Sequence, residues 1–212
     1  DGLGRKQGPF EIRARMVVLA AGARHTPGIA LRSRVRAKGV GYGLHTHPNA
    51  KVLGVFDERI DPWVRAHQAH QIHDFLEEGI LIAYAAVPPG ILAAGIPGFG
   101  QEHGRRMQLY NHMLTAGCLI DDSGQGRVRL GPDRRPWMSF KLSKRDIENI
   151  HRGVRMVSEL MFAAGARKVL LPFADLLELD SADDLGLIDR RKRVASNIEL
   201  MTVHIMSSMR MA

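Results

Sequence analysis

The sequence has little of what stabilises small secreted domains or marks membrane proteins. It holds one cysteine, Cys118, in 212 residues, so no disulfide can form within the chain, and a reducing, cytoplasmic compartment is the expected one. No apolar run approaches the roughly 18 residues of a membrane span, so no transmembrane segment is expected. The opening Asp1-Gly2-Leu3-Gly4 is polar and turn-like, unlike a signal peptide. An initiator Met is also missing, which leads to the expectation of a fragment or a processed product. Metal-ligand patterns are lacking too. His67, His70 and His73 recur every third residue, but in a strand His70 points away from the other two, and in a helix the three spread over a wide arc. His45 and His47 could share a strand face, but no third ligand accompanies them. No metal site is expected.

What is present is ordinary for a globular protein: 45% apolar and 25% charged residues, far from the disordered class. The length suits one large domain or two small ones. The formal charge of +8 raises nucleic acid as a partner. The arginines are spread along the chain, however, and the tightest cluster, Arg190-Arg191-Lys192-Arg193, has no accompanying recognition motif. The charge reads as solvated surface, and no nucleic-acid partner is expected.

Hydrophobic patterning predicts an α/β portion joined to an α+β portion. Residues 11–21 end in the apolar run Met16-Val17-Val18-Leu19-Ala20-Ala21, the pattern of a strand buried on both faces of a parallel sheet. Gly22 ends it, and Thr26-Pro27 reads as an N-cap with Pro at the first helical position, opening a helix to about Arg36. Residues 38–49 read as a loop. Strands are predicted over 51–56 and 79–87, with weak alternation over 68–75. A Pro/Gly-rich loop fills 88–100, and a short helix is read over 101–112. Residues 113–121 and 126–130 read as a hairpin around Asp122-Ser123-Gly124-Gln125, and 137–142 as a further strand. Ser143 caps a helix with Asp146 at the third position, close to a capping box, and Gly165 stops it. A short strand over 168–171 and an irregular acidic stretch over 175–189 follow. The segment 198–212 has neither a helical stripe nor strict alternation.

Three strings carry chemistry in order. Near the start, Val17-Val18-Leu19-Ala20-Ala21-Gly22-Ala23 is followed by His25-Thr26-Pro27. Next comes Val40-Gly41-Tyr42-Gly43-Leu44-His45-Thr46-His47-Pro48. Near the end stands His204-Ile205-Met206-Ser207-Ser208-Met209-Arg210-Met211. Together they resemble, in the same order, motifs of the glucose–methanol–choline (GMC) family of FAD-dependent oxidoreductases. Departures include Gly43 for Asn, Thr46 for Asp, Ser207 for Gly and Met209 for Cys. The stretch with Phe56-Asp57-Glu58 and Asp61-Pro62-Trp63 is similar to the branch that oxidises long-chain or bulky alcohols.

The resemblance implies a fragment of an FAD-dependent enzyme that oxidises an alcohol CH–OH group by hydride transfer to flavin. It implies a partial, Rossmann-like, three-layer FAD-binding domain over 1–49. A substrate-binding domain with a mostly antiparallel, helix-covered sheet would span 50–200, and a truncated C-terminal catalytic segment would start at 201–212. His204 is implied as the catalytic base, since an imidazole titrating near neutral pH suits removal of a hydroxyl proton. Ala21, Gly22, Ala23 and His47 are implied beside the cofactor FAD. The second His or Asn of the family's catalytic pair has no counterpart before residue 212, and no Gly-x-Gly-x-x-Gly nucleotide anchor is present, so the chain alone is expected to be inactive. The partner is a small-molecule alcohol; its identity and the electron acceptor stay open. The alternative is a non-catalytic binding or interaction domain that keeps only the scaffold. Cys118 reads as inert core, and Met206, Met209 and Met211 as packing.

Overall fold

A computed structural model describes residues 8, 11–35, 37–64, 66–123 and 126–210. Its centre is a six-stranded sheet built from β2 (Asn49–Val55), β3 (Gln71–Ile72), β4 (Ile80–Ala85), β5 (Met113–Ile120), β8 (Lys168–Phe173) and β9 (Leu176–Leu179), in the spatial order β3-β4-β5-β2-β8-β9. A second, three-stranded sheet runs β1 (Tyr42–Leu44), β6 (Gly126–Leu130), β7 (Pro136–Ser139). The helices are α1 (Gly22–Arg32), α2 (Pro89–Gly95), α3 (Gly100–Met107), α4 (Lys144–Ala163) and the single turn α5 (Gly186–Asp189).

The main core forms where α4 lies across one face of the large sheet. Ile150, Val154, Val157 and Met161, three or four residues apart, line one stripe of α4, and all are at most 2% exposed. They meet Ala50, Val52, Ile82, Cys118, Ile120, Val169 and Leu171. Alternation along β2 puts Leu53 and Val55 on the opposite face, where Leu92 and Ile96 of the α2 segment and Tyr110 cover them. Gly153 lets α4 approach β5: a Cβ there would stand 2.8 Å from Cys118 Sγ. The capping box read from the sequence is present, with Ser143 Oγ accepting from the Asp146 N–H (3.1 Å) and Asp146 Oδ2 accepting from the Ser143 N–H (2.7 Å).

The antiparallel, helix-covered part of the expectation holds; the parallel, Rossmann-like part does not emerge. Every strand pair among the described residues is antiparallel. Residues 11–20 form no strand, and Met16, Val17 and Val18 are 75–81% exposed. An apolar run becomes a doubly buried strand only between partner strands, and no described residue offers it an edge. The helix after it begins five residues earlier than expected, at Gly22, so Pro27 lies inside α1 and Thr26 is not its N-cap. The expected hairpin of 113–130 is no hairpin: β5 joins the large sheet and β6 the small one. The two predicted loops also carry structure, since residues 38–49 include β1 and the Pro/Gly-rich stretch contains α2. There Pro88-Pro89 opens the helix, a position where a missing N–H costs nothing.

Candidate functional site

The segment 198–210 has no periodicity because it is held by scattered bridges. It runs antiparallel to residues 40–49, with Asn49 opposite Met201, His45 opposite Met206 and Val40 opposite Met209. Asn49 and Met201 exchange two backbone hydrogen bonds of 2.9 Å, and His45 and Met206 exchange two of 3.0 Å. The Thr202 hydroxyl donates to the Thr46 carbonyl. Two stretches about 160 residues apart are thus laid side by side.

Their histidines meet. The rings of His47 and His204 lie 5.3 Å apart, centroid to centroid, at an interplanar angle of 52°. His47 has a left-handed backbone, φ 45°, uncommon for a residue with a side chain. Asp122 holds it there. This carboxylate, with its side chain fully buried, accepts from the N–H groups of His47 (2.6 Å) and Thr46 (2.8 Å) through Oδ2, and its Oδ1 stands 3.0 Å from His45 Nδ1. Burial first, and repulsion from His204 second, hold His47 below the ordinary histidine value, against the attraction of Asp122 and Asp121. Burial thus favours the neutral form of the His47 imidazole.

Beside His47 opens a cavity of about 380 Å³ lined by His45, His47, Leu76, Leu81, Leu119 and Met206 and by Asp121 and Asp122. Its walls are mainly apolar. Such a space suits an aliphatic group with few polar atoms.

Ala21, Gly22 and Ala23 form the N-terminus of α1. The Ala21 N–H donates to Thr26 Oγ1 at 2.9 Å. Gly22 has φ 74° with open space where a Cβ would lie. Pro27 has no N–H to offer the carbonyl four residues back, that of Ala23; the Ser208 hydroxyl donates to that carbonyl instead. Ser208 is 1% exposed, and its own carbonyl accepts from the Gly41 N–H at 2.8 Å. All three sequence strings are therefore joined through Ser208 and the 40–49 segment. Met211 lies outside the described residues.

The sequence reading assigned no role to Asp122, which orients His45 and His47. Its signal was the double acid Asp121-Asp122 closing an apolar strand, where a turn needs only one. It also left Ser208 as a motif match without a partner; the helical Pro27 was the clue that a carbonyl would need one.

No family model matches the chain. A GMC-type oxidoreductase of Mycobacterium tuberculosis is 30% identical over 184 residues, covering 86% of this chain and 29% of that protein. A second GMC-type oxidoreductase, of Sinorhizobium fredii, is 28% identical over 202 residues, 93% of this chain and 39% of that protein. A long-chain-alcohol oxidase of Arabidopsis thaliana is 28% identical over 170 residues, 76% of this chain and 22% of that protein. Over most of its length the chain is thus similar to proteins named GMC-type oxidoreductases. It spans well under half the length of these curated relatives.

Proposed function

We propose that the chain forms the substrate-facing part of an FAD-dependent alcohol oxidoreductase, with His204 as the base that takes the hydroxyl proton and His47 as its neighbour. The observation that carries this reading is the His47–His204 pair, whose His47 lines a mainly apolar cavity and is fixed by a buried carboxylate. The names of the plant relatives and the apolar walls favour aliphatic alcohols.

Bound FAD would supply the two-electron acceptor for the carbinol hydride. The chain's own residues fit one part of such a cofactor. Residues 21–23 stand at an exposed helix N-terminus, where backbone N–H groups favour a phosphate or a ring oxygen, and the space at Gly22 is free of side chains. The Ser208 link keeps this edge in register with the segment bearing His204. In this scheme 1–49 and 201–212 are assigned to the flavin-binding part, and 50–200 to the substrate domain. The apolar cavity holds the alkyl chain and excludes water, and His204 accepts the hydroxyl proton as the carbinol carbon loses hydride. His47, kept neutral by burial, can relay that proton onward without adding a second positive charge.

The test is anaerobic mixing of the full-length protein, loaded with FAD, with a series of primary alcohols. Bleaching of the flavin band by aliphatic alcohols supports the reading; a flavin that stays oxidised with every alcohol of the series sinks it.

A further inference from the structure

The fold gathers the charge of the chain in one place. Residues 22–44 and 126–139 hold nine of the 30 arginines and lysines but one of the 22 acids, Asp133. Nine against one gives +8, the net charge of the whole chain, so the remaining residues sum to zero. The two stretches are distant in sequence and meet in space, as α1 and the small sheet β1-β6-β7.

Helix α1 covers one face of that sheet. Val128 and Pro136 are buried on that side, and a Cβ on Gly28 of α1 would lie 2.9 Å from the Pro136 Cβ. The two-residue period of the strands then turns Arg127, Arg129 and Trp137 to the other face, together with Tyr42, which pairs with Arg127. That face is open among the described residues: Tyr42 is 50% and Trp137 68% exposed. The Arg127 guanidinium lies 4.0 Å over the Tyr42 ring, Arg129 stands opposite Trp137, and neither arginine meets a carboxylate among the described residues. Along the free edge of β7 runs a hollow of about 640 Å³, lined by Arg24, Asp133, Arg135 and Trp137 among others. Asp133 pairs there with Arg135 at 3.5 Å. Arg24 donates to the Pro136 carbonyl at 3.4 Å and has no acid of its own among the described residues.

Tyrosine, tryptophan and arginine are the residue types that concentrate binding energy at the centres of protein interfaces. A guanidinium fork matches a carboxylate, and stacking on an aromatic ring holds the fork in place. Base stacking is less well served, since Arg127 already occupies a face of the Tyr42 ring. We infer that this face docks an acidic segment of a partner protein, its carboxylates on Arg127 and Arg129 and an apolar side chain against Trp137. A surface that holds the whole net charge also steers such a partner toward itself. The inference stands apart from the alcohol-oxidation reading.

The test is fluorescence anisotropy of a labelled peptide repeating Glu-Glu-Tyr, titrated with the full-length protein. A Gln-Gln-Tyr peptide, labelled oligothymidylate and vesicles of phosphatidylserine and phosphatidylcholine in equal parts are run beside it. Arg127→Gln with Arg129→Gln is expected to weaken the acidic peptide about tenfold, the loss of two exposed ion pairs, and Trp137→Ala about fivefold or more. Arg190→Gln with Lys192→Gln removes the same charge from exposed positions elsewhere and should change the affinity less than about twofold, because distant charges are screened. The Gln-Gln-Tyr peptide should not bind. All these side chains are on the surface, so urea midpoints should stay at the wild-type value; Arg129→Gln alone, about threefold weaker, replaces the double variant if that variant is unstable. No binding of the acidic peptide to wild type, undiminished binding in the Arg127–Arg129 variant, or equal losses in the two double variants would each overturn the docking surface. Oligothymidylate or vesicle binding that the Arg127–Arg129 variant loses while the acidic peptide keeps its affinity would overturn it too, and assign the face to nucleic acid or to a membrane.

Discussion

Replacing Asp122 attacks the geometry of the site at its root. The carboxylate accepts two backbone N–H bonds, at 2.6 and 2.8 Å, and stands 3.0 Å from His45 Nδ1, all from a fully buried side chain. Hydrogen bonds to a charged group contribute about 1.5–3 kcal/mol each. Asp122→Ala also leaves the N–H groups of Thr46 and His47 without their acceptor, but that is the same loss seen from the donor side and is not added twice. The expected loss of stability is about 3–5 kcal/mol, the range for removing one partner of a buried charged set. Asp122→Asn keeps an oxygen for the two N–H groups and loses only the charge, so about 1–2 kcal/mol is expected. Urea unfolding of the full-length protein reads both as shifts of the midpoint at constant slope. His47 needs its left-handed backbone to face His204, so Asp122→Ala should also slow flavin reduction per bound flavin, and Asp122→Asn much less. An Asp122→Ala protein within 1 kcal/mol of wild type (about one lost neutral hydrogen bond) would refute the anchoring role.

Ser208→Ala should cost about 1–2 kcal/mol, because the Ala23 carbonyl loses its donor. Adding Pro27→Ala, which restores a backbone N–H to that carbonyl, should recover part of the loss; additive losses in the double-mutant cycle would show that the Ser208 contact does not replace the helical bond. The Cys118 thiol, pushed up to about 12 by burial, should resist alkylation at pH 8 (well below that value) and react only on unfolding; rapid native labelling would contradict its place in the core. His151 is 4% exposed and packs 4.8 Å from Phe173. Burial, then Arg193, holds its pKa below the ordinary histidine value, against Asp175 and Asp189. Its folded value lies below its unfolded one, so the stability it contributes is full above about pH 6.5 and is lost as pH falls through the folded value, the unfolded chain taking the proton first. His151→Leu should flatten this acid limb, to which His47 adds with the same sign; an unchanged limb in urea titrations across that range would exclude His151 as its source.

The sequence was most legible where local rules agree with the fold. The stripe Ile150, Val154, Val157, Met161 and the Ser143–Asp146 box marked α4 directly, and the apolar runs of β2, β4 and β8 stood out because they are buried between neighbours. It misled where a pattern depends on partners. The run Met16–Leu19 carries the strand signal but meets no edge among the described residues. The turn residues after Ile120 suggested a hairpin although Asp122 turns inward to serve residues 45–47. Motif order pointed to His204 and His47, and pairwise bridges then brought them together. No periodicity could have announced that pairing, since 198–210 joins 40–49 through isolated bridges.

The central claim is that His204 removes the substrate's hydroxyl proton, and it is tested most directly by stopped-flow reduction of the flavin. Full-length wild type and His204→Ala, each normalised to bound flavin, would be mixed anaerobically with dodecanol from about pH 6 to 9, spanning the usual histidine range. The account predicts a fall in the reduction rate by about 10²–10⁴, the usual loss for a positioned general base, with flavin content retained; a variant that reduces its flavin at the wild-type rate would contradict it.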